Sequence, residues 1–401
     1  MTSKRPEALN DACEFIVDCL HATAPTEMDG YPLIRTPNIG RGRLNLKDAY
    51  RVSEETYQTW TKRAVPEPGD LILAREAPAG NVAIVKEGEK VCLGQRTVHL
   101  RPNITKVDPD FLCYFLLAPP QQGKLLSGET GATAKHVNMK DIRRLELTGL
   151  PSLPTQKVAG SLLASYDDLI ENNRRRMALL EESARQLYQE WFVRLRFPGH
   201  EHTAIIEGVP TGWDRVPTPE AIEISPTTRL SDESEHWTVE MADLVIDSMV
   251  IEQPTKREGR SGSKFRNGDT LFARITPCLE NGKTAFVDFL ENGEVARGST
   301  EFIVLRGRQV SPEYVYCLAR TYDFRENAIK SMVGSSGRQR VQESCFEKFF
   351  VLVPSGILLS LFTEIVRPQF RQIRTLHSQN KKLRDARDLL LPRLMSGEIT
   401  V

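Results

Sequence analysis

Two patterns alternate along the chain. Short apolar runs at 71–74, 82–85 and 98–100 are separated by glycine, proline and charged residues, which predicts short β-strands joined by turns. A second set at 271–273, 284–287 and 302–305 has the same character. Each set is followed by short helical patterns, around 110–126 and 312–331. Long stretches with no strand character come next, opened by the helix-start signals Leu153-Pro154-Thr155 and Val353-Pro354-Ser355. In the first stretch Leu162, Tyr166, Leu169, Asn173, Met177, Leu180, Ala184, Leu187 and Trp191 recur at steps of three or four. In the second Ile373, Leu376, Asn380, Leu383, Arg387, Leu390 and Leu394 do the same. Such spacing reads as a coiled-coil seam, and an asparagine on a seam (Asn173, Asn380) fixes register at a cost in stability.

The alternation is a diverged duplication. Gly69-Asp70 through Ala74-Arg75 matches Gly268-Asp269 through Ala273-Arg274, an offset of 199. Pro109 matches Pro312, Gly128 and Gly131 match Gly334 and Gly337, and Val137 matches Val341. Leu150-Pro151 matches Val353-Pro354, and the run 169–175 matches 376–382, an offset of 207. Six matches in one order with nearly constant offset are a repeat whose drift reflects loop insertions. The expected architecture is α+β: two similar globular domains, 1–153 and 201–354, alternating with two long helices, 154–200 and 355–401. Equivalent helices in one chain with a globular segment between them pair most simply as an antiparallel coiled coil, giving a pseudo-two-fold arrangement.

Composition narrows the function. Over 401 residues, 53 basic and 53 acidic side chains cancel, and 40% of residues are hydrophobic, as in ordinary globular proteins. The longest apolar run, 111–118, is far short of the roughly 20 residues that span a membrane. Seven scattered cysteines without a CxxC pair predict reduced thiols, and the N-terminus lacks a signal-peptide core, so a cytoplasmic location is expected. The nearest approach to a phosphate loop, Asn281-Gly282-Lys283-Thr284, has Pro277 where the first glycine is needed. No cofactor fingerprint, nucleophile elbow, amino-methyltransferase motif or metal spacing of histidines is present in the sequence, so no catalytic or metal residues are expected.

Thr155 to Trp191 is 37 residues, or about 55 Å of helix. One turn of DNA is about 34 Å. Two similar but diverged domains held apart by such a helix suit a bipartite, non-palindromic DNA target, because palindromes pair with symmetric dimers. Segment charges are modest: net +1 for 1–153, +1 for 154–200, −6 for 201–354 and +4 for 355–401. Phosphate neutralisation supplies most non-specific affinity, so a chain of this kind needs charge from a partner. Local clusters remain. Arg35 precedes a loop-like TPNIGRGR segment that holds Asn38, Arg41 and Arg43, and Lys256, Arg257, Lys264 and Arg266 flank a flexible-looking GRSGS that holds Arg260. Lys135 and His136 match the place of Arg338, Gln339 and Arg340 after a glycine turn. These residue types can bond base edges bidentately. Arg274 belongs to the same group of candidates, although Arg75 and Arg274 could instead pair with Asp70 and Asp269.

Three motifs carry a resemblance. Glu190-Trp191-Phe192-Val193 runs on to Phe197-Pro198-Gly199-His200, Leu389 to Ile399 contains Pro392, Met395, Ser396, Gly397 and Glu398, and Val209-Pro210-Thr211-Gly212-Trp213 opens the second half. These resemble the specificity subunit of type I restriction–modification enzymes, and the resemblance covers essentially the whole chain. It departs at the N-terminus, which lacks the Pro-x-Gly-Trp opening seen at 210–213. The resemblance implies two target-recognition domains reading the halves of a split sequence on double-stranded DNA. It implies conserved helices that set the spacer and dock two modification (methyltransferase) subunits, with restriction subunits joining that core. It further implies a non-catalytic chain, with S-adenosylmethionine, ATP and Mg²⁺ bound by partners. Recognition subunits of other multi-subunit restriction systems share the expected architecture. A DNA-modifying enzyme with a diverged site and a plain interaction scaffold are the readings from other classes.

Overall fold

The computed structural model describes residues 6–47, 49–127, 136–335 and 337–399. By internal contacts the chain divides into two compact units, Met1–Glu171 with Asn380–Val401, and Asn172–Gln379. Each unit takes in part of both long helices.

The first unit is built on strands β1 (Cys13–Asp18), β2 (Gly42–Arg43), β3 (Leu71–Ala74), β4 (Val82–Ile84) and β5 (Thr97–Pro102), in the order β1-β5-β3-β4-β2. All neighbours are antiparallel except β2 and β4. The uninterrupted apolar runs arise because β3 and β4 are buried on both faces. Successive side chains of a strand point to opposite faces, so Leu71 and Leu73 join a core with Phe111, Leu112 and Phe115. Ile72 and Ala74 join another with Ile34, Ile39 and Val91. A smaller sheet of Tyr31–Ile34, Tyr50–Val52 and Cys92–Leu93 lies beside the second core.

The second unit repeats this plan. Strands β6 (Ile222–Ile224), β7 (Thr270–Ala273), β8 (Thr284–Phe286) and β9 (Phe302–Gly307) are ordered β6-β9-β7-β8, the same succession as β1-β5-β3-β4. Alternate residues again feed two cores, Phe272 one and Leu271 the other. The smaller sheet has four strands: Thr255–Glu258, Glu235–Val239, Val295–Gly298 and Ser263–Arg266. Both small sheets contain one parallel pair, Leu33 with Cys92 and Thr238 with Arg297.

The Gly-Asp pairs are turns. Gly69 and Gly268 have φ of +93° and +90°, conformations that L side chains rarely adopt. Asp70 then accepts the Glu67 amide, and Asp269 the Arg266 amide, each at 2.8 Å. The expected pairing of these aspartates with Arg75 and Arg274 is not what forms. Asp70 binds Arg101 and His99, and Asp269 binds Arg306, because β5 and β9 lie directly across from the turns. Arg75 and Arg274 instead reach the carbonyls of Val137 and Val341.

The first long helix runs Leu153–Tyr188 and continues as a π-helical turn, Gln189–Val193; the second runs Gly356–Met395. Within the first unit their segments are antiparallel. Asn380 Nδ2 donates to the Ile170 carbonyl at 3.2 Å, and Arg387, further along the second helix, pairs with Asp167, earlier on the first. The first helix also covers the globular part. A Cβ on Gly160 would lie 2.5 Å from the Phe111 amide nitrogen, so only glycine lets the backbones approach this closely. This second contact rotates the buried stripe. Leu169, expected on the seam, is half exposed, whereas Ile170 beside it is buried. Asn173 and Asn380 are both buried, and Asn173 belongs to the second unit.

The resemblance-bearing motifs are largely core. In the second unit Trp191 and Phe192 pack with Tyr188, Tyr314 and Phe362, and Trp213 lies tilted against Phe192 and Phe197. Leu391, Leu394 and Met395 join the core of the first unit. All seven cysteines are free, and burial pushes the Cys13 and Cys92 thiols up to about 12. No helix among the described residues is long and apolar enough to cross a membrane, and those residues hold no group of ligands suited to a metal ion.

Candidate nucleic-acid interface

The segment expected to be a loop at 36–43 has structure. Thr36–Asn38 is a single 3-10 turn, and Gly42–Arg43 is strand β2. Asn38 is 3% exposed, accepts the Arg35 amide at 3.0 Å, and donates to the Asn45 carbonyl. Its side chain is therefore engaged within the turn. The second unit explains why. There Asp243 accepts the Glu240 amide at 2.7 Å, and the Glu252 amide bonds the Asp243 carbonyl as Asn45 bonds Asn38. This repeated contact, in which a side chain caps the amide three residues before it, needs an oxygen acceptor at that position and nothing more.

The other candidates of the first unit lie nearer the surface. Arg35 stacks its guanidinium 4.0 Å above the Tyr50 ring. Arg41 is exposed and donates to the Leu117 carbonyl at 3.0 Å. Arg43 pairs with Asp168. Lys135 lies outside the described residues. His136 borders a depression of about 420 Å³ lined by Asp18, His21, Arg75, Glu76, Gln95 and Arg96. Arginine only donates. The 2.6 Å contact with Arg75 therefore makes His136 Nε2 an acceptor, and Nδ1–H donates to Glu76 at 2.7 Å. Sequence reasoning missed Arg96, whose Nε lies 3.0 Å from Glu76 and whose side chain is 60% exposed. Nothing in its local sequence marks it; only the fold brings it to Glu76.

In the second unit the GRSGS segment, 259–263, connects two strands that lie at opposite edges of the four-stranded sheet. Lys256 and Arg257 sit on one strand, Lys264 and Arg266 on the other. A Cβ on Gly262 would strike the Gly298 carbonyl, so only glycine fits where this connection meets the sheet. Lys256 lies over the Trp237 ring at 5.4 Å, Arg257 faces Glu240 at 3.3 Å, and Arg260 faces Asp232 at 3.5 Å. Arg297, a residue the sequence reading did not single out, reaches the Glu258 carbonyl at 2.6 Å.

Arg274 faces Glu343 at 3.7 Å. Gln339 is anchored through its backbone to Thr276. Arg338 is exposed and makes no ion pair among the described residues. Arg340 grips Glu301 through Nε and Nη2 at 2.6–3.0 Å, and these bonds hold the Glu301 carboxyl below its usual range. The structure thus gathers His136 with Arg75 and Arg340 with Glu301, and leaves the Lys256–Arg260 group on a separate sheet.

Residues 18–182 match the profile of the type I restriction modification DNA specificity domain. The chain is 21% identical over 398 residues to the type I restriction enzyme MjaIX specificity subunit of Methanocaldococcus jannaschii, covering 94% of this chain and 86% of that protein. It is 30% identical over 146 residues to the EcoAI specificity subunit of Escherichia coli, 35% of this chain and 25% of that one. The fold is similar to the crystal structure of the type I restriction–modification S subunit of M. genitalium, with a TM-score of 0.57 at 14% identity, covering 98% of each chain.

Proposed function

The chain belongs to the family of type I restriction–modification DNA specificity subunits, and from that premise we propose that its two globular units read the two halves of a bipartite, asymmetric target in double-stranded DNA. The duplicated scaffold carries this reading. Strand order, the Gly-Asp turn and the capped 3-10 turn recur in both units, while the polar side chains set on them differ. One frame bearing two sets of surface groups suits two different half-sites. The long helices set the unread spacer, with Asn173 and Asn380 fixing their register.

In this reading Arg35, Arg41, Arg43, His136, Lys256, Arg257, Arg260, Arg274, Arg338, Gln339 and Arg340 contribute contacts to base edges and nearby phosphates. Two modification subunits dock on the helical regions and supply the phosphate contacts that a neutral chain lacks. Restriction subunits complete the assembly. The chemistry, with S-adenosylmethionine, ATP and Mg²⁺, resides in those partners.

The test is binding to duplex DNA by fluorescence anisotropy across a salt series, for the chain alone and for its complex with the modification subunit of its own system. Sequence-selective, salt-dependent binding by the complex and weak binding by the chain alone are expected. Methyl transfer to DNA by the chain alone would establish the enzyme reading instead. A complex with no sequence preference would favour the scaffold.

A further inference from the structure

The duplication places two backbone positions side by side in each unit. The Arg75 amide donates to the Arg96 carbonyl at 2.9 Å, and the Arg274 amide to the Glu301 carbonyl at 3.0 Å, so Arg96 and Glu301 occupy matching places. The Val137 amide donates to the Arg75 carbonyl at 3.0 Å, and the Val341 amide to the Arg274 carbonyl at 2.9 Å, so His136 and Arg340 match as well. The frame is common, but the charges are exchanged. The first unit puts arginine at the 96 position and joins it to His136 through Glu76. The second puts glutamate at the 301 position and arginine at 340.

Resting on the proposed reading of split DNA, we infer that these matched clusters are where the two units discriminate their half-sites, with Arg96 and Arg340 as the reading groups and Glu76 and Glu301 as positioning residues. In both clusters a carboxylate takes the Nε edge of the guanidinium: Glu76 with Arg96 at 3.0 Å, Glu301 with Arg340 at 2.9 Å. The end-on fork of Nη1 and Nη2 still has protons directed away from the carboxylate. A fork held this way loses less freedom on binding, and it matches the O6 and N7 acceptors of guanine. Both side chains are about half exposed or more, at 60% for Arg96 and 48% for Arg340, while their carboxylates are largely covered, at 17% and 21%. In the first unit the cluster opens on the depression of about 420 Å³, which supplies room for an approaching base edge. The consequence is one guanine contact in each half of the target, read from opposite positions of the same frame.

The experiment maps N6-methyladenine across the genome of cells co-expressing the chain with the modification subunit of its own system. It compares the unaltered chain with Arg96→Ala, Arg96→Lys, Arg340→Ala and Arg340→Lys. The unaltered complex is expected to give a split motif with guanine in each half. Each alanine variant relaxes one guanine in one half only, by roughly tenfold to a hundredfold in preference. The lysine variants, which keep charge but not the fork, relax it too. Glu76→Gln and Glu301→Gln loosen the same positions more weakly. A motif unchanged in all variants overturns the inference while leaving the family reading intact. So does a uniform loss of methylation with the consensus preserved, the mark of a folding defect. An unaltered complex with no sequence motif removes the reading and the inference together.

Discussion

Asp269→Ala is expected to destabilise the second unit by about 3–5 kcal/mol, the usual cost of stranding a buried charge. The carboxylate is 1% exposed, receives Arg306 at 2.7 Å through both Nε and Nη2, and receives the Arg266 amide at 2.8 Å. Removing it strips three hydrogen bonds and leaves a guanidinium that is only 12% exposed with Thr228 as its remaining side-chain partner. Replacing both members, as Asp269→Leu with Arg306→Met, is expected to recover most of the loss, because a buried ion pair often does no better than apolar residues of similar volume. Urea unfolding followed by tryptophan fluorescence suits this test, since Trp191, Trp213 and Trp237 all lie in the second unit and only Trp60 in the first. A loss below about 1 kcal/mol, typical of an exposed pair, would refute the idea that this aspartate anchors the turn to β9. The matching Asp70 adds a pH signature. Burial pushes its carboxyl up, but hydrogen bonds from His99, Arg101 and the Glu67 amide outweigh burial and hold it below its usual range. A carboxylate with a depressed folded pKa contributes stability above its unfolded value near 4 and loses it as the pH falls further. Asp70→Asn should therefore flatten the acid limb of the first unit's unfolding curve.

Asn38→Asp should preserve both fold and DNA target, because Asp243 already fills the same turn position; a changed methylation motif would return Asn38 to the readers. Gly160→Val should prevent close packing of the first long helix on Phe111, lowering the midpoint of thermal unfolding by several degrees, whereas an unchanged midpoint would show that the contact can relax. Burial raises the Asp288 carboxyl to about 6 against the opposing pull of Arg374, so folding holds its proton more tightly than the open chain does. Stability then falls as the pH rises from about 4 to 6, and Asp288→Asn should stabilise at pH 7 by about 1–3 kcal/mol yet do nothing at pH 4, as read from paired denaturation curves. Arg387→Met should leave the buried Asp167 with the Tyr114 hydroxyl as its side-chain partner, costing about 3 kcal/mol in the same assay.

What the chain pattern reveals follows from what governs each feature. Strands β3, β4, β7 and β8 are legible because burial on both faces demands continuous apolar runs, and the Gly-Asp turns because their φ excludes most residues. Heptad spacing reveals the long helices but misplaces Leu169, because the first helix packs on the globular part as well as on its partner helix. The strands on either side of 259–262 are hard to read because most of their residues are polar or charged, and only the pairing of Thr255–Glu258 with Glu235–Val239 and of Ser263–Arg266 with Val295–Gly298 shows them to be sheet. Arg75 and Arg274 stand close to aspartates in sequence, yet their partners come from β1 or the Val137 and Val341 carbonyls, contacts between residues 57 to 67 apart in the chain. The Arg96–Glu76–His136 cluster is invisible for the same reason.

Two different half-sites read from one duplicated frame would leave a signature in the methylation pattern. Mapping N6-methyladenine in cells that carry the unaltered chain and its modification subunit reads that signature. A single split motif with dissimilar halves and a fixed unread spacer is expected. A palindromic motif, a continuous one or methylation without sequence preference would contradict it.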